Sequence, residues 1–309
     1  MKATLPLVML GLFAAALALG VARIAWASYQ GAVRDFRRTP AGPLTLDPAV
    51  AAVPHLQSVT FGPGAAALLA AWYVPAQNGA AVILVHGTGA ERASLLDETR
   101  LLARAGFGVL TLDLPGQGLS AGVTRWGAPE EHALSVAVEW LSARPEVDPR
   151  RIGAFGLSFG GYVLLQAAVR EPRLRALVLA STPEDLDVET RRANARFGLL
   201  SELPALWVLH RYRGEVQDLP PPKAVAALSP RAVLIIGGER DALVPPEACR
   251  VLFEAAGEPR ELWIVPHAGH AGFAAVAGEA YGRRLAEFFG RALPERALAS
   301  APPGPLPGR

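Results

Sequence analysis

Between positions 58 and 293 the chain alternates short apolar runs with longer amphipathic stretches. The runs Ala67 to Val74, Ala81 to Val85, Gly108 to Asp113, Ile152 to Gly156, Ala176 to Ser181, Ala232 to Gly237 and Glu261 to Val265 read as strands. Most are apolar at nearly every position, as expected where both faces of a parallel sheet are covered. Helices are expected at Arg92 to Ala105, Pro129 to Arg144, Gly160 to Arg170, Pro246 to Ala256 and Ala274 to Leu293. Strand and helix in alternation predict an α/β fold, with a mostly parallel central sheet and helices on both faces. Ligands in such sheets bind beyond the carboxyl ends of strands, so chemistry is sought just after each apolar run.

The pattern changes at both ends. Ala3 to Ala22 holds no charged residue and no polar face, and at about 1.5 Å per helical residue it is long enough to cross a hydrocarbon core of about 30 Å. Residues 1–27 are therefore expected to form a single-pass membrane anchor. The competing reading is a signal peptide cut after Ala25-Trp26-Ala27, which would leave a secreted or periplasmic protein beginning at Ser28. The apolar stretch exceeds the usual signal core of about 7 to 15 residues, which favours the anchor. Arg23, Arg34, Arg37 and Arg38 follow the span while Lys2 precedes it, and this balance leans towards a cytoplasmic catalytic domain. Residues 28–57, with Pro40, Gly42, Pro43, Pro48 and Pro54, read as a linker. Residues 294–309 are rich in proline and read as a disordered tail, leaving 58–293 as one α/β domain.

Composition excludes several classes. Thirty Lys and Arg against 28 Asp and Glu give a formal charge of only +2, with no basic footprint for nucleic acid. The single cysteine, Cys249, forbids an internal disulfide framework and any multi-cysteine metal site. Neither a zinc-protease helix motif nor a phosphate-binding glycine loop occurs, so no metal or other cofactor is expected.

The residues that carry chemistry follow three apolar runs. Gly156-Leu157-Ser158-Phe159-Gly160 sits between a predicted strand and a predicted helix, the setting in which a G-x-S-x-G pattern forms a sharp turn that presents its serine. Such a turn holds the serine in a strained backbone conformation and leaves no room for β-carbons at the flanking glycines. Its bland alternative is a glycine-rich helix start capped by serine. Asp241 lies just beyond the run Leu234 to Gly237, in a loop stiffened by Pro245 and Pro246. His267 and His270 lie in a glycine-containing loop after the last strand. The chain order serine, acid, histidine is one of three in which this constellation recurs.

With His86-Gly87-Thr88-Gly89 and Asp113-Leu114-Pro115-Gly116-Gln117-Gly118-Leu119-Ser120, these segments resemble the α/β-hydrolase superfamily over about residues 58–293. The resemblance implies that Ser158 is the nucleophile, His270 the general base and Asp241 the residue fixing the imidazole tautomer. The backbone N–H groups of Phe159 and Thr88 would form the oxyanion hole, with His86 ordering its loop. His270 is preferred to His267 because the family histidine sits in a Gly-His pair, here Gly269-His270. Asp185 and Asp187 could replace Asp241 but read more simply as loop carboxylates, and His55, His132 and His210 have no matching context. The chain departs from the family at Gln117, where relatives often carry histidine in a structural turn.

These residues imply a serine hydrolase that cleaves a carboxylic ester through an acyl-enzyme, with thioesterase, amidase or peptidase activity, or a non-catalytic binding protein of the same fold, as alternatives. Serine instead of aspartate at the elbow argues against alkyl-enzyme chemistry. Residues 183–230 would form a short helical lid. Its mixed apolar and basic character suits an acyl chain or aromatic ester, and equally a cap that merely covers the sheet edge. The expected partners are a small, lipophilic acyl substrate and, through the N-terminal helix, a membrane.

Overall fold

The computed structural model describes residues 4–36, 52–213 and 218–295. A long helix, α1 (Thr4–Phe36), leads into an eight-stranded mixed sheet. Its strands are β1 (Gln57–Phe61), β2 (Leu69–Val74), β3 (Ala81–Val85), β4 (Gly108–Leu112), β5 (Ile152–Leu157), β6 (Leu174–Ala180), β7 (Ala232–Gly238) and β8 (Arg260–Val265). They lie in the order β1-β2-β4-β3-β5-β6-β7-β8, with the β1–β2 and β2–β4 pairings antiparallel at one edge and the remaining pairings, from β4–β3 to β7–β8, parallel.

The continuous apolar runs exist because each strand feeds two cores. In β3, Ala81, Ile83 and Val85 enter one core, and Val82 and Leu84 enter the other. The first core is closed by α3 (Ala128–Ser142), α4 (Phe159–Arg170) and α8 (Pro246–Ala255), the second by α2 (Leu96–Arg104) and α10 (Glu279–Ala292). The expected helix over 274–293 is broken into α9 (Phe273–Ala277) and α10 at Gly278, whose φ of 55° ends the first segment.

Three helices bridge β6 and β7: α5 (Leu186–Ala193) and α6 (Leu199–Arg213), which form the lid, and α7 (Pro221–Ala226), whose Ala224 and Val225 are buried in the first core. Asp185, one of the alternative acids, is the N-cap of α5, where its Oδ1 accepts from the N–H groups of Asp187 and Val188 at 2.7 and 3.0 Å. Below the lid, Asp218 accepts from Arg213 and Tyr162, and Arg170 pairs with Glu131. This network ties the end of α6 to α3 and α4.

The N-terminal helix corrects the expected linker. Helical structure continues through Ser28 to Phe36, a stretch that contains no proline. Its segment Leu12–Arg34 has the length and apolar composition to cross a membrane, with a mean hydropathy of 1.5. The second half of α1 packs along α6. Val33 is buried in the first core, and Trp26, Tyr29 and Trp207 form a chain of rings with centroid separations of 5.5 and 6.0 Å. Residues 37–51 of the expected linker and 296–309 of the expected tail lie outside the described residues.

Candidate active site

Ser158 stands between β5 and α4 with φ 55° and ψ −123°, a conformation that an ordinary side chain adopts only under constraint. The constraint comes from backbone packed against backbone. A β-carbon at Gly156 would lie 2.5 Å from the Gly160 carbonyl oxygen, and one at Gly160 would overlap the carbonyls of Val85 and His86. Only glycine permits the approach, so β5 can run into α4 with the serine raised between them.

Ser158 Oγ is 2.9 Å from His270 Nε2, and His270 Nδ1 is 2.8 Å from Asp241 Oδ2. Asp241 is buried, and its Oδ1 accepts from the N–H groups of Leu243 and Val244, both at 2.9 Å. Although burial alone would raise its pKa, the bonds to His270 and Val244 outweigh that and hold the carboxyl below its ordinary value. An ionised Asp241 fixes the proton on Nδ1 and leaves Nε2 to accept from the serine hydroxyl.

His267 does not reach this cluster. It turns outward with φ 64°, its N–H donates to Glu239 Oε2 at 2.7 Å, and its Nδ1 lies 3.1 Å from Arg240 Nη2. Asp187 faces His210 at 3.1 Å on the lid.

Around Ser158, the loop after β3 is locked by His86 and Gln117. Buried His86 donates from Nδ1 to the Gly87 carbonyl at 2.8 Å and accepts from the Leu114 N–H at Nε2, 3.1 Å away. Burial lowers its pKa, which keeps the ring neutral and able to do both. Gln117 Oε1 accepts from the Gly89 N–H at 3.1 Å, so glutamine supports the same loop at the position where the family often has histidine. The N–H groups of Thr88 and Phe159 have no protein acceptor among the described residues. Asp113 is buried in an ion pair with Arg92 and accepts from the Leu119 N–H at 2.8 Å, which pins the turn Gly116 to Ser120. Glu130 accepts from the N–H groups of Arg125 and Gly127 at 2.8 and 2.9 Å, which presents Trp126 to pack against Phe159 at a tilt of 33°, 4.8 Å between centroids.

A cavity of about 720 Å³ opens from Thr88 and Trp126, a size usual for small-molecule sites. Helices α5 and α6 cover it, and one wall is α1, through Arg23, Ile24, Ala27, Ser28 and Gly31. Glu189 of α5 faces the same space, buried and with no hydrogen-bond partner for its carboxylate among the described residues. Burial, reinforced by Glu184 and Asp241, pushes its pKa up to about 7. The cavity role of Glu189 and of α1 leaves no trace in residue spacing, since a lone glutamate on an amphipathic helix looks like a solvated one.

Comparison with known proteins agrees with this architecture. A family model described as X-Pro dipeptidyl-peptidase (S15 family) matches residues 55–199. An uncharacterized protein of Mycobacterium tuberculosis is 32% identical over 212 residues, covering 65% of this chain and 68% of that protein. The uncharacterized protein YfhR of Escherichia coli is 26% identical over 246 residues, covering 77% of this chain and 81% of its own. An esterase of Pyrococcus furiosus superposes with a TM-score of 0.69 at 24% identity, over 83% of this chain and all of that structure, a likeness of fold. The chain belongs to the α/β-hydrolase superfamily, and family and fold together place it among serine hydrolases of the α/β type.

Proposed function

We propose that the protein is a membrane-anchored esterase that cleaves a carboxylic ester with Ser158 as nucleophile, His270 as general base and Asp241 as the group that orients the imidazole. The observation that carries this reading is the unbroken chain from Ser158 Oγ through both ring nitrogens of His270 to Asp241, at 2.9 and 2.8 Å. His270 takes the hydroxyl proton as Oγ attacks the carbonyl carbon, and the Thr88 and Phe159 N–H groups receive the developing oxyanion, for about 3 to 4 kcal/mol each. The imidazolium then protonates the leaving alcohol. Water, deprotonated by the same ring, releases the acid from the acyl-enzyme. Helix α1 serves as an uncleaved anchor.

The family-model match favours a second reading, a peptidase that releases X-Pro dipeptides with the same residues. Turnover of p-nitrophenyl esters, acyl thioesters and X-Pro p-nitroanilides by the full-length protein, with Ser158→Ala as control, separates the two. Ester cleavage that disappears in the control is the expected result. Faster cleavage of the anilides would favour the peptidase, and turnover that survives Ser158→Ala would overturn both.

A further inference from the structure

The lid carries an apolar surface that none of the described residues covers. Phe197, Leu199, Leu200, Leu203 and Trp207 are all exposed, on α6 and the turn before it. Five large apolar side chains on one short segment exceed the scattered exposure that ordinary surfaces show. They are not isolated from α1. Pro204 and Trp207 form a groove with Ala22, Ala25, Trp26 and Tyr29 of that helix. From there α1 continues towards its N-terminus through Leu19, Leu17, Phe13 and Leu12, which are also exposed. The apolar face of the lid is thus continuous with a helix able to cross a bilayer. At the junction stand Trp26, Tyr29 and Trp207, with Arg23 one turn towards the N-terminus, the residue types that settle at the membrane–water boundary, so the part of α1 that crosses is the uncharged stretch ending at Ala22.

On these grounds, and resting on the esterase reading, we propose that the lid lies on the bilayer surface and that the substrate is an acyl lipid ester drawn from the membrane into a pocket walled by α1. The same helix that spans the membrane closes the cavity reaching Thr88, through Arg23, Ile24, Ala27, Ser28 and Gly31. A lipid leaving the bilayer beside α1 therefore meets a mostly apolar cavity that reaches Thr88, whose N–H belongs to the oxyanion hole of the proposed site. Cleavage after Ala27 would remove Arg23, Ile24 and Ala27 from that wall, so the helix is retained in the working enzyme.

The test uses the full chain in phosphatidylcholine vesicles, with p-nitrophenyl palmitate dispersed in the bilayer and p-nitrophenyl acetate in the water. Leu199→Glu with Leu203→Glu places charge on the lid face without touching the cavity lining. Gly31→Phe extends a ring from α1 at a position where a β-carbon meets nothing within 4 Å. Each is expected to lower the ratio of kcat/KM for palmitate over acetate about tenfold, equivalent to about 1.4 kcal/mol. Intact mass is expected to retain the residues before Ser28. A fluorophosphonate label on Ser158 reports an intact site in every sample. Labelled proteins whose ratios match the wild type would overturn this inference alone, and a mature chain beginning at Ser28 would overturn it together with the anchor role of α1 while leaving the esterase reading standing. An unlabelled wild-type protein would overturn the hydrolase reading and this inference with it.

Discussion

Replacing Glu189 by glutamine is expected to stabilise the protein in alkaline solution and to do little in acid. In the folded chain its carboxyl is buried under the lid and its pKa is pushed up to about 7, against an ordinary value of 4.5. Burial is the largest cause, Glu184 and Asp241 add repulsion, and the His270 ring opposes them. The sign follows from proton linkage. Below the ordinary value both folded and unfolded chains carry the neutral acid, and no penalty exists. As pH rises from 4.5 towards about 7 the unfolded chain ionises first, so stability falls, and the full penalty is present above 7. The gap in proton affinity is worth about 3 kcal/mol at about 1.36 kcal/mol per tenfold. Glutamine has nearly the same shape and never ionises. Thermal unfolding of both proteins in detergent micelles at about pH 5 and about pH 8.5 checks this, since the difference between them cancels every other titrating group. About 2.5 kcal/mol of that penalty appears between the two pH values, so the gain in Tm from Glu189→Gln is expected to be larger at the higher pH by about 5 to 10 °C, at about 2 to 4 °C per kcal/mol. Parallel Tm curves for the two proteins would refute the burial argument, because a solvated Glu189 would titrate alike in both states.

Four further substitutions probe the site. His270→Ala is expected to reduce kcat by about 10⁴-fold or more, while His267→Ala retains most of it, because only the first ring reaches Ser158. Asp241→Asn is expected to cost about 10⁴ in kcat with little loss of fold. The Leu243 and Val244 N–H groups would hold the amide oxygen, turning its NH₂ towards His270 and forcing the tautomer that cannot accept from serine. Gly160→Ala is expected to destabilise the chain and abolish serine labelling together, since the new methyl overlaps the Val85 and His86 carbonyls; denaturant unfolding and active-site titration report both.

The parallel strands from β3 to β8 were legible in the sequence because residues of opposite parity both feed a core, leaving runs such as Ala81 to Val85 apolar throughout. Strand β1 was not. In Gln57-Ser58-Val59-Thr60-Phe61 only Phe61 is buried, as suits an antiparallel edge strand, and the sequence looks like loop. Ser158, Asp241 and His270 could be picked out because each follows a strand in a segment with its own glycine or proline signature. The expected linker was misread where its prolines had not yet begun, so the nine residues from Ser28 to Phe36 became helix. Its consequence is functional, because Ser28, Gly31 and Ala32 in that stretch line the cavity. Gln117 and Glu189 show a different limit. What they do depends on which loop or ring the fold brings opposite them, the Gly89 N–H for one and His270 for the other.

The central claim is that Ser158 is a nucleophile activated by His270. The most direct measurement is covalent labelling of the intact, full-length protein with a fluorophosphonate, read by mass spectrometry of its peptides, beside Ser158→Ala and His270→Ala. Stoichiometric modification at Ser158 is expected, with none in Ser158→Ala and labelling slowed by orders of magnitude in His270→Ala. A folded wild-type protein left unmodified, or modified at another serine while Ser158 stays free, would contradict it.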